Sequence, residues 1–178
     1  MRTYVALLRG INVGGRTKIA MADLRKLFAG LGGEDVTTYL QSGNVVFKSS
    51  AAAAVLAGSI EERIADELGL RVTVVMRTAA DLATVAAKNP FADRGAEPTQ
   101  LHVVFLSEKP AAARVRALDT TRGEPDEFRV AGREIYLHYP NGYGRSKITN
   151  AWFEKELGVA GTARNWRTVT KLAELAGA

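Results

Sequence analysis

The stretch that decides the fold is VTTYLQSGNVVFK, residues 36–48. Both of its ends are rich in β-branched and aromatic residues, which favour strands. The Gln41-Ser42-Gly43 segment between them suits a tight turn with a positive φ at Gly43. The stretch therefore predicts a β-hairpin, and on each side of it we find first a helical pattern and then a strand pattern.

The two helical patterns are read from apolar residues that recur three or four positions apart. The pattern before the hairpin ends at Gly32-Gly33 and consists of Met21, Leu24, Leu27, Phe28 and Leu31. The pattern after it ends at Gly69 and consists of Leu56, Ile60, Ile64 and Leu68. Residues 3–8 and 70–76 are the outer strands. The resulting order, β-α-β-β-α-β, is that of a ferredoxin-like unit.

The second half of the chain repeats the order β-α-β-β-α. Residues 101–105 alternate as a strand, Pro110 begins a short helix, and residues 128–139 form a hairpin around Ala131-Gly132. Two C-terminal helices are predicted to follow, from about Ser146 to Leu157 and from about Thr162 onward. We therefore predict an α+β fold of two ferredoxin-like halves, residues 1–90 and 91–178, related by structural duplication and packed as one compact unit.

The composition is that of an ordinary globular chain. Its 178 residues are 47% hydrophobic and 24% charged, with a net charge of +5, and this length can bury a core without disulfides. Cysteine is absent, which excludes disulfides, thiolate metal sites and cysteine nucleophiles. We recognise no signal peptide and no membrane-spanning run. We expect a cytoplasmic protein that does not enter a membrane and has no metal or cofactor.

The loop after the first strand, RGINVGGRTK at residues 9–18, is the first candidate binding site. Its glycines would let successive N–H groups converge on an anion, and its three cations would add positive charge. The spacing of Gly10 and Gly15 is that of a phosphate loop, but Arg16 stands in place of the lysine, and no later strand ends in an aspartate suited to magnesium. The alternative is a strand-to-helix connection whose glycines serve only the backbone. The candidate ligand-binding residues are Arg9, Asn12, Gly14, Gly15, Arg16 and Lys18.

A second basic loop, PNGYGRSK at residues 140–147, precedes the helix predicted to start near Ser146. Free N–H groups and the helix dipole favour an anion at such a position, and Arg145, Ser146 and Lys147 would supply further donors. The alternative is a helix cap at Ser146 or Thr149 with solvated cations. We expect this loop and the loop at residues 9–18 to border a common pocket.

The turn of the first hairpin could also contribute ligand donors through Gln41, Ser42 and Asn44, although turn chemistry alone accounts for these residues. Trp166, flanked by arginines, could stack on a base. It also lies on the apolar stripe of the last helix, and we favour a core position.

The two histidines, His102 and His138, lie in strand patterns and have no metal-ligand spacing. We favour a packing role for both over a catalytic one. No residue stands out as a nucleophile or a general base.

The sequence resembles a bacterial family known as domain of unknown function 1697. The residues that carry the resemblance span nearly the whole chain and are Tyr4 to Gly15, Gln41 to Phe47, Arg145 to Lys147, Thr149-Asn150 and Arg164 to Trp166. The resemblance implies a two-part α+β fold of duplicated appearance and implies no activity. One departure is Arg16, where family members usually have lysine.

Three functions follow as hypotheses. The first is binding of a phosphate-bearing ligand, either a nucleotide or a nucleic acid, through the basic loops. The second is a small enzyme that acts on an anionic metabolite. The third is a non-catalytic protein-interaction module in which the motifs serve turns and packing. The sequence does not indicate an oligomeric state.

Overall fold

The structure, a computed structural model, describes residues 1–178. The chain divides into two compact units, Met1–Thr84 with Lys171–Ala178, and Val85–Thr170. One sheet lies entirely before residue 90 and the other entirely after it. The packing of the halves 1–90 and 91–178 as one compact unit stays a prediction.

The first unit has the predicted ferredoxin-like order. Its elements are β1 (Arg2–Leu8), α1 (Met21–Gly30), β2 (Glu34–Tyr39), β3 (Asn44–Ser49), α2 (Ala53–Leu68) and β4 (Val74–Thr78), followed by α3 (Ala79–Ala87). The strands form one antiparallel sheet in the order β2-β3-β1-β4. The hairpin around Gln41 is therefore confirmed, with Tyr39 opposite Asn44.

The core of the first unit lies between its two helices and one face of the sheet. Leu24 and Phe28 of α1 and Ile60 of α2 are at most 1% exposed, as the four-residue apolar spacing predicts. The rings of Phe28 and Phe47 meet edge to face at 5.0 Å. Leu8, at the end of β1, and Leu24, near the start of α1, belong to the same core cluster, and the loop at residues 9–18 lies between them in the chain.

The second unit repeats the architecture. Its elements are α4 (Pro90–Asp93), β5 (Leu101–Leu106), α5 (Ala112–Arg116), β6 (Glu127–Ala131), β7 (Glu134–His138), α6 (Asn150–Leu157), β8 (Gly161–Asn165) and α7 (Trp166–Leu175), the last of which continues into the first unit. The sheet is antiparallel, in the order β6-β7-β5-β8. The predicted α+β class with two similar halves is confirmed. No helix combines the length and the apolar character needed to cross a membrane.

Two predicted helix starts are wrong. The last helix does not begin near Thr162, because residues 161–165 form strand β8, in which buried Thr162 and Arg164 flank exposed Ala163. Helix α6 begins at Asn150 rather than near Ser146. The Ser146 hydroxyl accepts a hydrogen bond from Ile148 N in a turn, and Thr149 is the residue that caps the helix, at Trp152 N.

The two halves share a buried arginine at the same place in the sheet. Arg77 of β4 lies opposite Val5 of β1, and Arg164 of β8 lies opposite Val103 of β5. Their exposures are 1% and 7%, and each donates from Nη1 to the carbonyl of the residue before it, at 2.8 and 2.9 Å. A large charged residue is seldom buried to this degree, so its repetition indicates that the halves are structural duplicates.

The residue after each buried arginine caps the helix that follows. Thr78 Oγ1 accepts from Asp81 N, and Thr78 N donates to the Asp81 carboxylate, so the two residues form a capping box at the start of α3. Asn165 Oδ1 accepts from Thr168 N at the start of α7. The repeated unit is therefore β-α-β-β-α-β-α.

Candidate functional site

The β1–α1 loop at residues 9–18 is strongly twisted. Five of its residues have φ between 50° and 74°, and these are Gly10, Asn12, Gly14, Gly15 and Thr17. A short bridge between Val13 and Arg16 closes the tip of the loop. A Cβ built on Gly14 or Gly15 would meet no atom within 4 Å. Both glycines are therefore needed for their backbone conformation, and the space above them is open to an incoming group.

The side chain of Asn12 fastens this loop to its neighbours. Its Nδ2 donates to the carbonyls of Ile19, at 3.0 Å, and of Gln41, at 2.7 Å. Its Oδ1 accepts from Ile19 N at 2.9 Å. Asn12 thus links the loop to the β2–β3 turn. Its backbone has a positive φ, a conformation that asparagine adopts more readily than most residues.

The β2–β3 turn packs under the same loop. Leu8 N donates to Gly43 O at 2.9 Å, and a Cβ on Gly43 would lie 2.6 Å from Ile11 Cδ1. Asn44 is fully buried, and its Nδ2 donates to Tyr39 O and to Ser42 Oγ. The Gln41 and 9–18 segments are therefore brought together, while Ser42 and Asn44 hold the turn itself.

A surface depression of about 430 Å³ lies where the loop and the turn meet the start of α1. It is lined by Asn12, Gly15, Lys18, Ile19, Ala20 and Gln41. Ala20 is the N-cap residue of α1 and has no side chain able to satisfy the first N–H groups of the helix. The depression therefore combines a lysine with an uncapped helix N-terminus.

Two cations beside this depression have no acidic partner. Arg16 and Lys18 are exposed, and neither forms an ion pair. Arg9, at the start of the loop, is also exposed, and its main-chain N–H donates to Thr73 O. Asp23, in the first turn of α1, is the acidic residue nearest in sequence.

The second basic loop borders a pocket of about 440 Å³ in the other unit. Two segments of the chain line the pocket: residues 123–126, and a second segment that contributes Asn141, Gly142, Arg145, Ser146 and Lys147. Because α6 begins at Asn150, residues 145–147 precede the helix, and the helix-dipole argument for an anion at these residues fails. A cleft shared by the two basic loops stays a prediction.

This second pocket contains carboxylates as well as cations. Glu124 and Asp126 line it together with Arg145 and Lys147. Asp126 is only 8% exposed. No sequence motif identifies Asp126 as a site residue, because only the folded loop at residues 123–126 brings it into the lining of the pocket.

The third predicted feature, around Trp166, serves the fold. Trp166 is 8% exposed, which confirms a core position and leaves no open face for a base. Burial lowers the pKa of Arg164 to about 10, and Arg164 donates to Thr162 Oγ1 at 2.7 Å.

The two histidines lie at the same end of the second sheet. His102 packs edge-on against the rings of Tyr139 and Tyr143, at 5.2 and 4.8 Å, and burial lowers its pKa. His138 Nε2 lies 3.1 Å from Gln100 Oε1. Neither lines the two depressions described above, and no group of three or more potential metal-ligating side chains exists.

Comparison with known proteins places the chain in a family. The model of the protein family of unknown function DUF1697 matches residues 1–136, a segment that includes the whole first unit apart from its C-terminal residues. The chain belongs to this family. No curated protein matches the sequence.

The fold also occurs in a solved structure. The conserved bacterial protein SP0830 from Streptococcus pneumoniae superimposes with a TM-score of 0.71 over 98% of both chains, at 23% sequence identity. At this identity the likeness concerns the fold, and that protein's description names no ligand.

Proposed function

We propose that this protein binds a phosphate-bearing ligand in the depression between the 9–18 loop, the Gln41 turn and the start of α1. The observation that carries the proposal is the coincidence of an uncapped helix N-terminus with two unpaired cations, Arg16 and Lys18. An anion at such a position gains from the helix dipole and from free N–H groups.

The loop is preorganised in the absence of a ligand. Asn12 fixes it through three hydrogen bonds, so little conformational entropy remains to be lost on binding. Gly14 and Gly15 keep their backbone open on the outer side. In this proposal Asn12 positions the loop, while Arg16, Lys18 and the main-chain N–H groups contact the phosphate.

Binding is favoured over catalysis at this depression. Of the side chains that line it, only Lys18 is titratable, and neither a carboxylate nor an imidazole is available as a general base. The chemistry of the lining therefore fits recognition of an anion better than turnover of a metabolite.

The test is calorimetric titration of the protein with a nucleoside triphosphate and, separately, with a short oligonucleotide at low salt. We expect Arg16→Ala/Lys18→Ala to weaken binding by about 10-fold or more, because charge-assisted hydrogen bonds are lost. The control is Lys26→Ala/Arg71→Ala, which has the same net charge but changes exposed residues that do not line the depression.

The salt dependence of the binding affinity distinguishes an oligonucleotide from a single nucleotide as the ligand. Oligonucleotide binding should weaken steeply between about 50 and 200 mM salt because several counterions are released, whereas a single nucleotide should respond less. If both double variants lose the same affinity, the loss is explained by the change in net charge alone, and the proposal is refuted. The proposal is also refuted if the protein binds neither the nucleoside triphosphate nor the oligonucleotide.

A further inference from the structure

The pocket in the second unit contains a buried carboxylate with no protein partner. Asp126 is more than nine-tenths buried and lines the pocket. Its main-chain N–H donates to Gly123 O at 2.8 Å, but its carboxylate forms no hydrogen bond and no ion pair. The carboxylate is therefore available to a ligand that enters the pocket, while the rest of the residue is enclosed by the fold.

The other charges of the pocket are also kept apart. Glu124 belongs to the same lining segment as Asp126, and Arg145 and Lys147 belong to the second segment. No ion pair joins the two segments. A pocket of about 440 Å³ that holds opposite charges without neutralising them is complementary to a molecule that carries both signs.

The walls of the pocket are tied to each other. Gly123 packs so closely on Ile148 that a Cβ would lie 2.9 Å from Ile148 Cγ2. Arg122 Nε donates to Lys147 O at 3.1 Å, and the Tyr139 hydroxyl donates to Ile148 O at 3.0 Å. The separation of the charged groups is therefore set by the fold, which is the preorganisation that a binding site requires.

We propose that this pocket binds a small zwitterion in which a primary ammonium group lies within a few bonds of a carboxylate or phosphate. The ammonium group would donate to Asp126, with Glu124 adding negative charge. The anionic group would accept from Arg145, Lys147 and the Ser146 hydroxyl. Free α-amino acids and aminoalkyl phosphates both have this chemistry.

A simple anion or a simple cation fits less well. Inorganic phosphate would lie beside two carboxylates, and a metal ion or polyamine would lie beside two cations, so each would meet repulsion from half of the charged lining. This inference does not depend on the phosphate site proposed above, which belongs to the other unit and contains none of these residues.

The test is calorimetric titration with the standard free α-amino acids and with phosphoethanolamine. Comparing the two affinities shows whether the pocket prefers a carboxylate or a phosphate as the anionic group. N-acetylated amino acids and the corresponding simple amines are the matched probes, because each lacks one of the two charges. We expect binding of at least one zwitterion and a loss of about 10-fold or more for either single-charge probe.

Two variants test the residues. Asp126→Asn should weaken the zwitterion by about 10-fold or more, with Asp93→Asn, an exposed carboxylate of α4, as the control. Asp126→Asn should also leave the melting temperature unchanged or raise it, because an unpartnered charge is removed. Arg145→Ala should weaken binding relative to Arg116→Ala, a change at an exposed arginine of α5.

The proposal is overturned if no zwitterion binds, or if the N-acetylated compounds bind as tightly as the free amino acids. It is also overturned if Asp126→Asn lowers the melting temperature while zwitterion affinity stays the same, since Asp126 would then serve the fold. Lys18→Ala should have no effect on this binding, which separates the outcome from that of the phosphate site.

Discussion

The side-chain amide of Asn12 donates a 2.7 Å hydrogen bond to the main-chain carbonyl of Gln41, twenty-nine positions along the chain. This bond joins the loop after β1 to the turn between β2 and β3, and both segments line one depression. Two separate sequence motifs thus form one structural element. The bond uses the carbonyl of Gln41, so the two residues should respond differently to substitution.

Asn12→Ala should destabilise the protein by about 2 kcal/mol or more, because three hydrogen bonds of roughly 1 kcal/mol each are removed and alanine disfavours a positive φ. Gln41→Ala keeps the main-chain acceptor and should change stability by less than about 0.5 kcal/mol. Urea denaturation measures both. Equal stability losses in the two variants would contradict this division of roles.

Gly43→Ala should lower stability by about 2–4 kcal/mol, because strain at a positive φ adds to overpacking against Ile11. Gly69→Ala, at the end of α2, is the matched control. It has a similar positive φ of 66°, but its Cβ would meet nothing within 4 Å, so a loss of about 1 kcal/mol is expected. Denaturation curves in which Gly69→Ala is the more damaging change would refute the close packing of the turn.

Thr78→Ala should cost about 1 kcal/mol, because it removes the cap of α3. Thr84→Ala, at an exposed position of the same helix, should be neutral or slightly stabilising, since alanine is the better helix former. Thermal denaturation compares the two. If both variants have the same melting temperature as the wild type, the capping box does not contribute to stability.

The stability of the protein should fall as the pH is lowered from about 7 to 5.5. Burial lowers the pKa of His102 in the folded state, so the unfolded chain takes up its proton first and is favoured at acidic pH. His102→Phe keeps an aromatic ring against Tyr139 and should make the free energy of unfolding less dependent on pH over this range. An unchanged slope in urea titrations at several pH values would argue against this origin.

Much of the fold could be predicted from local patterns. The four-residue spacing of Leu56, Ile60 and Ile64 and the stop at Gly69 locate α2, because helix periodicity and a left-handed C-cap are local signals. Strand β8 could not be predicted in this way. Its Thr162 and Arg164 pair with residues of β5 and are buried in the fold, but neither is apolar, so the sequence shows no hydrophobic alternation here.

The candidate site was predictable to a similar extent. The glycines and cations of residues 9–18 identify the loop, but the role of Asn12 depends on a carbonyl far away in the sequence. Asp126 escaped prediction because its burial and its place in the pocket are set by the folded 123–126 loop, and no residue pattern around it signals either.

The central claim, that a phosphate group binds at the 9–18 loop and the start of α1, is tested most directly by a ¹H–¹⁵N NMR titration with inorganic phosphate. We predict saturable shifts of the Gly14, Gly15 and Lys18 amides and of the first-turn amides of α1, and their loss in Arg16→Ala/Lys18→Ala. Saturable shifts confined to other parts of the chain, or shifts of these amides that persist in the double variant, would contradict the claim.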